Sequence, residues 1–399
     1  MRCSSLQPLA GRRLHFVGIG GAGLSGYALL AHTWGAEVSG WDRYETPYLA
    51  HLPPEIDVTI SAEPNSPEDV ETIVSTAFSG LVEGRSRAEF LAELVSLQDS
   101  IVVAGAHGKT TTAAMIAFVL ERLGRDPGFL IGAEVPQLGS NARAGSGWLV
   151  VEGDESDRTI ELLRPRIAVV TNVDLDHHTE FASRSEVGEL FERWLEGIPQ
   201  TVRGDSLEPY DGELTIPGRH NRLNAATALA ALERAGVDGR EAWPVLREFR
   251  GAGRRLEEVG VAGDVRIVDD YAHHPAEICV TLAALREQGI GRILALFQPH
   301  LYSRTRHLAR ETAAALAEAD VVAVTDVYAA REETVEGVSG KLVVDALAEL
   351  RPGMTIGWTP SVEAGARFLA RRARPGDVVL TIGAGDVDRG ADLVFQELA

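Results

Sequence analysis

The sequence predicts an α/β chain built of successive parallel sheets, and three observations carry that prediction. Two short apolar runs, Leu14-His15-Phe16-Val17 and Ile101-Val102-Val103, each break into a glycine-rich turn that opens a helical pattern. Strand, glycine turn and helix in that order are the unit of a parallel sheet. From Val265 onward, apolar runs alternate with helical stretches, and each run ends in a polar loop.

Composition sets the class. The chain has 399 residues, 45% hydrophobic and 24% charged, enough for two or three cores. A formal net charge of −20 argues against nucleic acid or an anionic membrane as main partners, so an anionic substrate needs local arginines and helix ends. Cys3 and Cys279 are the only cysteines; no disulfide framework is expected, and a reducing cytoplasmic compartment fits. No apolar stretch approaches a membrane span. Arg12-Arg13 leads into a strand, and the glycines from Gly18 onward do not suit a secretory signal.

The first segment opens with the Leu14–Val17 strand, Gly18-Ile19-Gly20-Gly21-Ala22-Gly23, and a helix over Leu24–Trp34; a strand near Glu37–Trp41 ends at Asp42. Three glycines at this spacing, with an acidic residue about twenty positions on, form a dinucleotide-type fingerprint. A glycine turn under a helix N-terminus serves any diphosphate, including that of a UDP-sugar. A β-run at Thr72–Ser75, a turn-rich stretch and a helix over Arg87–Leu97 place a boundary near residue 98.

The second segment begins at Ala104-Gly105-Ala106-His107-Gly108-Lys109-Thr110-Thr111-Thr112, with Lys109 at the turn, Thr110 opening the helix and a helical pattern over Ala113–Leu123. The first glycine of the longer P-loop template is replaced by Val103, leaving a compact Gly105-x-x-Gly108-Lys109-Thr110 loop. Backbone N–H groups, a helix N-terminus and one lysine make a phosphate cradle, and a threonine hydroxyl suits Mg²⁺. The chain contains only two lysines, Lys109 and Lys341, so one at this turn is informative and points to ATP.

Two further strands, Gly147–Glu152 and Ile167–Thr171, end in Glu152-Gly153-Asp154-Glu155-Ser156-Asp157 and Asn172-Val173-Asp174-Leu175-Asp176-His177-His178. The crevice of an open α/β sheet lies at such strand ends. Oxygen ligands with phosphates suit Mg²⁺, and an imidazole can complete a second site. Glu152, nearest the strand, is the ligand candidate; a solvated loop accounts for most of Asp154, Glu155 and Asp157. Asn221 and Asn224 share the first turn of an alanine-rich helix over Ala225–Ala235. Capping explains one of them, leaving room for recognition of a nucleobase edge. Phe249-Arg250-Gly251-Ala252-Gly253-Arg254-Arg255 reads as a hinge carrying cations suited to a γ-phosphate.

The third segment contains strands Val265–Val268, Arg292–Phe297, Val321–Thr325 and Val378–Thr381. Their loops carry Asp269-Asp270-Tyr271-Ala272-His273-His274-Pro275, Gln298-Pro299-His300-Leu301-Tyr302-Ser303-Arg304, Asp326-Val327-Tyr328 and Gly383-Ala384-Gly385-Asp386. A proline after two histidines is also an ordinary helix start.

Taken together, these motifs resemble the Mur ligases, in particular the branch that adds L-alanine to UDP-N-acetylmuramate. The matching stretches are Gly18–Gly26, Ala104–Thr112, Val151–Asp157, Thr171–His177, Gly218–Asn224, Asp269–Pro275, Phe297–Arg304, Asp326–Tyr328 and Gly383–Asp386. They follow the family order from near one end of the chain to the other. The resemblance implies a Rossmann-like UDP-sugar domain (1–97), a shortened P-loop ATPase domain (98–250) and a Rossmann-like ligase domain (251–399), acting as monomer or homodimer. It also implies ATP-dependent phosphorylation of the muramoyl carboxylate, then displacement of phosphate by the L-alanine amine.

By motif match, Gly18, Gly20, Gly21, Ala22, Gly23 and Asp42 hold the UDP-sugar, and Gly105, Ala106, His107, Gly108 and Lys109 hold the ATP phosphates. Thr110 or Thr111 and Glu152 hold one Mg²⁺, and His177 helps with a second. Asn224 reads adenine, and Arg254 or Arg255 reaches the γ-phosphate. Asp270 with His274 completes the nucleotide site, while His300 and Arg304 meet the amino-acid carboxylate. Lys109, Glu152, His177 and Arg304 are the catalytic set.

Three departures stand out. No lysine lies between Lys109 and Lys341, so the carbamoylated lysine of many later-acting family members is absent, as in the alanine-adding branch. Only Phe181–Ile216 separates two central motifs, and the stretch near Phe78–Arg85 is short too. Leu301 stands where some members carry arginine. The rival readings are a murein-peptide-recycling ligase, a folate-glutamate ligase, an NAD oxidoreductase and a nucleotide-binding paralogue without catalysis. The oxidoreductase leaves the P-loop unexplained.

Overall fold

Three sheets, met in order along the chain, carry the fold; the computed structural model describes residues 7–155, 157–175, 180–181, 183–330 and 332–399. The first sheet is all parallel, in the order β3-β2-β1-β4-β5. Its strands are β1 (Arg13–Val17), β2 (Glu37–Asp42), β3 (Asp57–Ile60), β4 (Glu71–Val74) and β5 (Arg85–Ser86), with helices α1 (Ala22–Thr33) and α2 (Arg87–Ser96). A capping box, in which Ser86 and Glu89 each bond the other's backbone N–H, starts α2.

The second sheet has the order β11-β10-β6-β9-β7-β8. It comprises β6 (Ser100–Ala104), β7 (Gly128–Val135), β8 (Ser140–Arg143), β9 (Leu149–Glu152), β10 (Ile167–Val170) and β11 (Gln200–Arg203). Only the β7–β8 pair is antiparallel. Helices α3 (Lys109–Arg122), α4 (Arg184–Leu195), α5 (Arg219–Arg234) and α6 (Gly239–Leu246) accompany it. The strand β6, buried throughout as Ser-Ile-Val-Val-Ala, lies between β9 and β10, so three loops leave the sheet side by side.

The third sheet runs β12-β13-β17-β14-β15-β16, parallel except for the edge strand β12. In chain order it is β12 (Glu257–Ala262), β13 (Val265–Asp270), α7 (Pro275–Glu287), β14 (Ile293–Phe297), α8 (Tyr302–Leu316), β15 (Val321–Val324), α9 (Lys341–Leu350), β16 (Thr355–Trp358), α10 (Val362–Ala370), β17 (Val378–Ile382) and α11 (Arg389–Leu398). The inner strands are apolar on both faces because helices cover both. The chain divides into two compact units, residues 1–215 with 223–252, and 216–222 with 253–399; the first holds the first two sheets and the second holds the third.

Two helices start slightly earlier than the sequence reading has them. The helix α3 begins at Lys109, just ahead of the expected Thr110, and α5 at Arg219, ahead of the expected first turn at Asn221 and Asn224. In both cases a glycine in the left-handed region, Gly108 (φ 79°) or Gly218 (φ 99°), reverses the chain directly into the helix. The unforeseen strands are β3, β5, β7, β8, β11, β12 and β16; all but β7 are sheet edges, where apolar patterning is weak. Between β11 and α5 the chain makes no strand, and Tyr210 packs on Trp243 with ring centroids 3.9 Å apart. The central sheet is therefore closed by a short strap.

Within the first unit, α1 lies against the β7–β8 hairpin, and Gly26 sits at that contact. A Cβ there would lie 2.9 Å from both Ala142 Cβ and Leu130 Cδ2. Glycine in a helix interior costs about 1 kcal/mol relative to alanine, so its presence marks the close approach. Gly26→Val is expected to lower stability by roughly 1–3 kcal/mol through overpacking, read as a shifted urea midpoint; an unchanged midpoint would show that the helix does not bear on the hairpin.

Candidate active site

Lys109 is the first residue of α3, and its ammonium folds back over the loop that precedes it. Its Nζ donates to Gly105 O at 2.6 Å and Ala106 O at 3.3 Å, and pairs with Glu155 Oε1 at 3.1 Å. Burial alone would lower this ammonium, but Glu155, Asp154 and Glu152 outweigh it and hold the lysine firmly charged, above its ordinary value. No side chain caps the first turn of α3, so its N–H groups and the helix dipole are directed at an anion.

The loop is braced from β10. Thr171 and Asn172, just past that strand, bond the backbone of His107: Thr171 Oγ1 and Asn172 Nδ2 donate to His107 O at 2.7 and 2.8 Å, and His107 N–H donates to Asn172 Oδ1 at 3.0 Å. Ala106 N–H donates to Asn172 O at 3.2 Å. The side chain of Asn224, buried on the second turn of α5, lies where a Cβ on Gly108 would fall. Glycine is thus required at 108 by conformation and by Asn224 together, and Asn224 packs on the phosphate loop.

The acidic strand end supplies the oxygen donors. Thr110 Oγ1 donates to the Glu152 carboxylate at 3.0 Å from either oxygen, and Gly132 N–H donates to Glu152 Oε2 at 2.8 Å. A hydroxyl and a carboxylate side by side, with the hydroxyl on the residue after a half-buried lysine, fit Mg²⁺, which takes few protein oxygens. His177, expected to serve a second ion, lies outside the described residues, as do Asp176 and His178. Among the described residues no three His, Cys, Asp or Glu side chains form a metal-sized group.

Glu155 corrects the sequence reading. Instead of belonging to a solvated loop it is 2% exposed, and burial pushes its carboxyl up to about 7 against the pull of Lys109. Its spacing of three from Glu152 gave no reason to prefer it. The scarcity of lysine is the one signal that a half-buried lysine here needs a dedicated counter-charge. Asp157, at 2.9 Å, and Asp154, at 3.6 Å, instead meet Arg87 at the start of α2. Arg87 and Asn172 were not foreseen.

In the first sheet, Gly18 has φ 91°, and a Cβ there would fall 2.6 Å from Ser75 Oγ. Gly21 is the N-cap of α1, which starts at Ala22 with no side-chain cap, so Gly20 and Gly21 lead into another open helix end and Gly23 lies in its first turn. Asp42 is buried and turned onto this loop, where Oδ2 accepts Gly20 N–H at 2.8 Å and Oδ1 accepts Arg43 N–H at 2.7 Å. It therefore shapes the glycine loop directly.

The second unit gathers the remaining candidates on neighbouring strands. Arg254 is committed within its own domain: it pairs with Asp269 at 2.9 Å and donates to the carbonyls of Gly385 at 2.9 Å and Gly383 at 2.7 Å. Arg255 pairs with Glu277 at 3.9 Å and lies over the Tyr271 ring at 5.1 Å. Asp270 is equally committed, accepting Leu256 N–H, Ala272 N–H and the Thr281 hydroxyl at 2.8, 2.9 and 3.1 Å. His274 caps α7, accepting Ala276 N–H at 3.4 Å. At the next loop, Arg304 and His300 meet at 3.3 Å, and His300 stacks on Tyr328 with centroids 5.9 Å apart.

With this geometry in hand, the similarity to known proteins is specific. Three Mur ligase family domains match in succession: the Mur ligase family catalytic domain over residues 13–98, the Mur ligase middle domain over 103–203 and the Mur ligase glutamate ligase domain over 254–385. A UDP-N-acetylmuramate–L-alanine ligase of Rubrobacter xylanophilus is 39% identical, covering 97% of this chain and 100% of its own. One of Desulforamulus reducens is 36% identical over 94% and 96%. The solved UDP-N-acetylmuramate–alanine ligase of Thermotoga maritima superposes with a TM-score of 0.78 at 26% identity, over 96% of this chain and 98% of its own. A murein peptide ligase of Psychrobacter arcticus shares the fold, with a TM-score of 0.65 at 22% identity.

Asp270 gives this site a pH signature. Burial raises its carboxyl from 3.8 to about 6, opposed by Arg255. The folded state therefore keeps this proton to higher pH than the unfolded chain, and stability is lost as pH rises across that window, by on the order of 3 kcal/mol. The stability difference between the wild type and Asp270→Asn, from urea unfolding, should change by that amount between pH 4 and 7; a pH-independent difference would contradict the assignment.

Proposed function

This chain belongs to the Mur ligase family, and we propose that it joins L-alanine to the carboxylate of UDP-N-acetylmuramate, with cleavage of ATP and by way of an acyl phosphate, in the synthesis of peptidoglycan precursors. The observation that carries this reading is the half-buried Lys109 ammonium at an uncapped helix start beside the Thr110–Glu152 pair. The full-length similarity to alanine-adding ligases supports the choice of substrates.

A carboxylate attacking a γ-phosphate brings anion to anion, so the site has to neutralise charge as the bond forms. Lys109 supplies one fixed positive charge, and the first turn of α3 supplies N–H donors. Mg²⁺, held by Glu152 with Thr110 or Thr111, would add Lewis-acid charge at the phosphates. Because Thr110 already meets Glu152, it is the better placed of the two threonines. Of the two candidate arginines, Arg255 is the one assigned to the γ-phosphate, because Arg254 is committed to loops of its own domain. Gly18–Gly23 provide the diphosphate turn for the UDP moiety, and His300 with Arg304 provide cationic and hydrogen-bonding partners for the alanine carboxylate.

Phosphate release from ATP with Mg²⁺ tests the reading: it should require both UDP-N-acetylmuramate and L-alanine. Nucleotide binding without such turnover would instead identify a paralogue that lost the chemistry with its shortened central domain. Lys109→Ala should lower kcat on the order of 10²–10³-fold with the fold kept, because Glu155, already near pH 7, takes up a proton once its partner is gone. Normal turnover by that variant would remove Lys109 from the phosphate site.

A further inference from the structure

The loop leaving β14 is held in an unusual shape by the loop leaving β15. After both strands end, the ladder resumes for one parallel bridge between His300 and Tyr328, in which Tyr328 N–H donates to Pro299 O at 2.8 Å and Leu301 N–H to Tyr328 O at 2.9 Å. The chain then turns at Leu301 with φ 67°, a left-handed conformation that a leucine adopts only under constraint. Leu301 is the N-cap of α8 and offers no side-chain acceptor to the helix.

That acceptor comes from far along the chain. The carboxylate of Glu332 accepts Ser303 N–H at 2.9 Å and the Ser303 hydroxyl as well. Glu332 is itself set by a turn, its N–H donating to Ala329 O at 2.9 Å. A carboxylate on a helix start is a charge-assisted cap. This one joins the β15 loop to the first turn of α8, one residue before Arg304, while Tyr328 of the same loop stacks on His300.

We infer that Glu332 is a positioning residue for the amino-acid substrate: it clamps the first turn of α8 so that Arg304, its N–H accepted by His300 Nδ1, presents one fixed cation to the substrate carboxylate. By satisfying Ser303 N–H, it also removes a competing anion site at the helix end and directs that carboxylate to Arg304. This rests on the ligase reading above, in which His300 and Arg304 meet the amino acid.

The test is steady-state kinetics of the whole enzyme with L-alanine and ATP varied separately, together with amide hydrogen exchange of the segment spanning Gln298 to Thr305. In Glu332→Ala, the KM for L-alanine should rise about ten-fold, what one charge-assisted hydrogen bond is worth. The KM for ATP should hold within about two-fold, and exchange at Leu301 and Ser303 should quicken. Glu332→Gln, whose amide oxygen still accepts Ser303 N–H, should recover most of the alanine affinity. An unchanged alanine KM in Glu332→Ala, or equal losses toward ATP and alanine, overturns the positioning role alone. A wild-type enzyme without alanine-dependent turnover overturns the ligase reading, and this assignment falls with it.

Discussion

A single ammonium sets the terms for the nucleotide site. Lys109 sits at the start of a buried helix among three carboxylates, bonded to two carbonyls of its own loop and paired with Glu155. A cation drawn out of water is tolerated only when matched, so the acidic strand end of β9 and the phosphate loop of β6 have to stand together. The loop is in turn clamped by Asn172 from β10. The sheet order puts β6 between β9 and β10, which turns three separate loops into one rim. In this state Glu155 and two carbonyls occupy the donors that an anionic phosphate would claim, so the lysine is pre-set for exchange of one anion for another.

The third sheet solves its problem by the same means with different parts. Its loops are tied together by charged and aromatic side chains: Arg254 spans Asp269 and the two glycine carbonyls after β17, Gln298 reaches Asp386 at 2.8 Å, and His300 stacks on Tyr328. These bonds fix loops that a parallel sheet otherwise leaves free at its carboxyl edge. They also distinguish two adjacent arginines: Arg254 is committed to the loops after β13 and β17, whereas Arg255 meets Glu277 at 3.9 Å and Tyr271.

The parallel α/β character, the two glycine turns and the strand ends that bear Glu152, Asp270 and His300 were legible because short-range patterns dictate them: an apolar run, then glycine, then helix. Helix starts were less legible, since a left-handed Gly108 or Gly218 allows a helix to begin sooner than apolar periodicity shows. Edge strands such as β3 and β12 escaped because half-exposed residues carry little pattern. Pairings across long separations were not legible at all. Nothing local marks Glu155 rather than Asp154 as the partner of Lys109, Asn172 as the brace of His107, or Glu332 as the cap of α8. The bond of Asp42, the last residue of β2, to Gly20 N–H was likewise not legible, since nothing local marks that partner.

The short strap between β11 and α5, pinned by Tyr210 on Trp243, leaves the rim of β6, β9 and β10 intact, so the account places the phosphoryl chemistry in a central domain of reduced size. Isotope transfer from UDP-N-acetylmuramate labelled with ¹⁸O in its carboxylate, turned over with ATP and L-alanine, tests that claim most directly. One labelled oxygen is expected in each inorganic phosphate released, because that oxygen bridges carbon and phosphorus before the amine displaces the phosphate. Turnover that released only unlabelled phosphate would contradict activation of the carboxylate at the Lys109 loop.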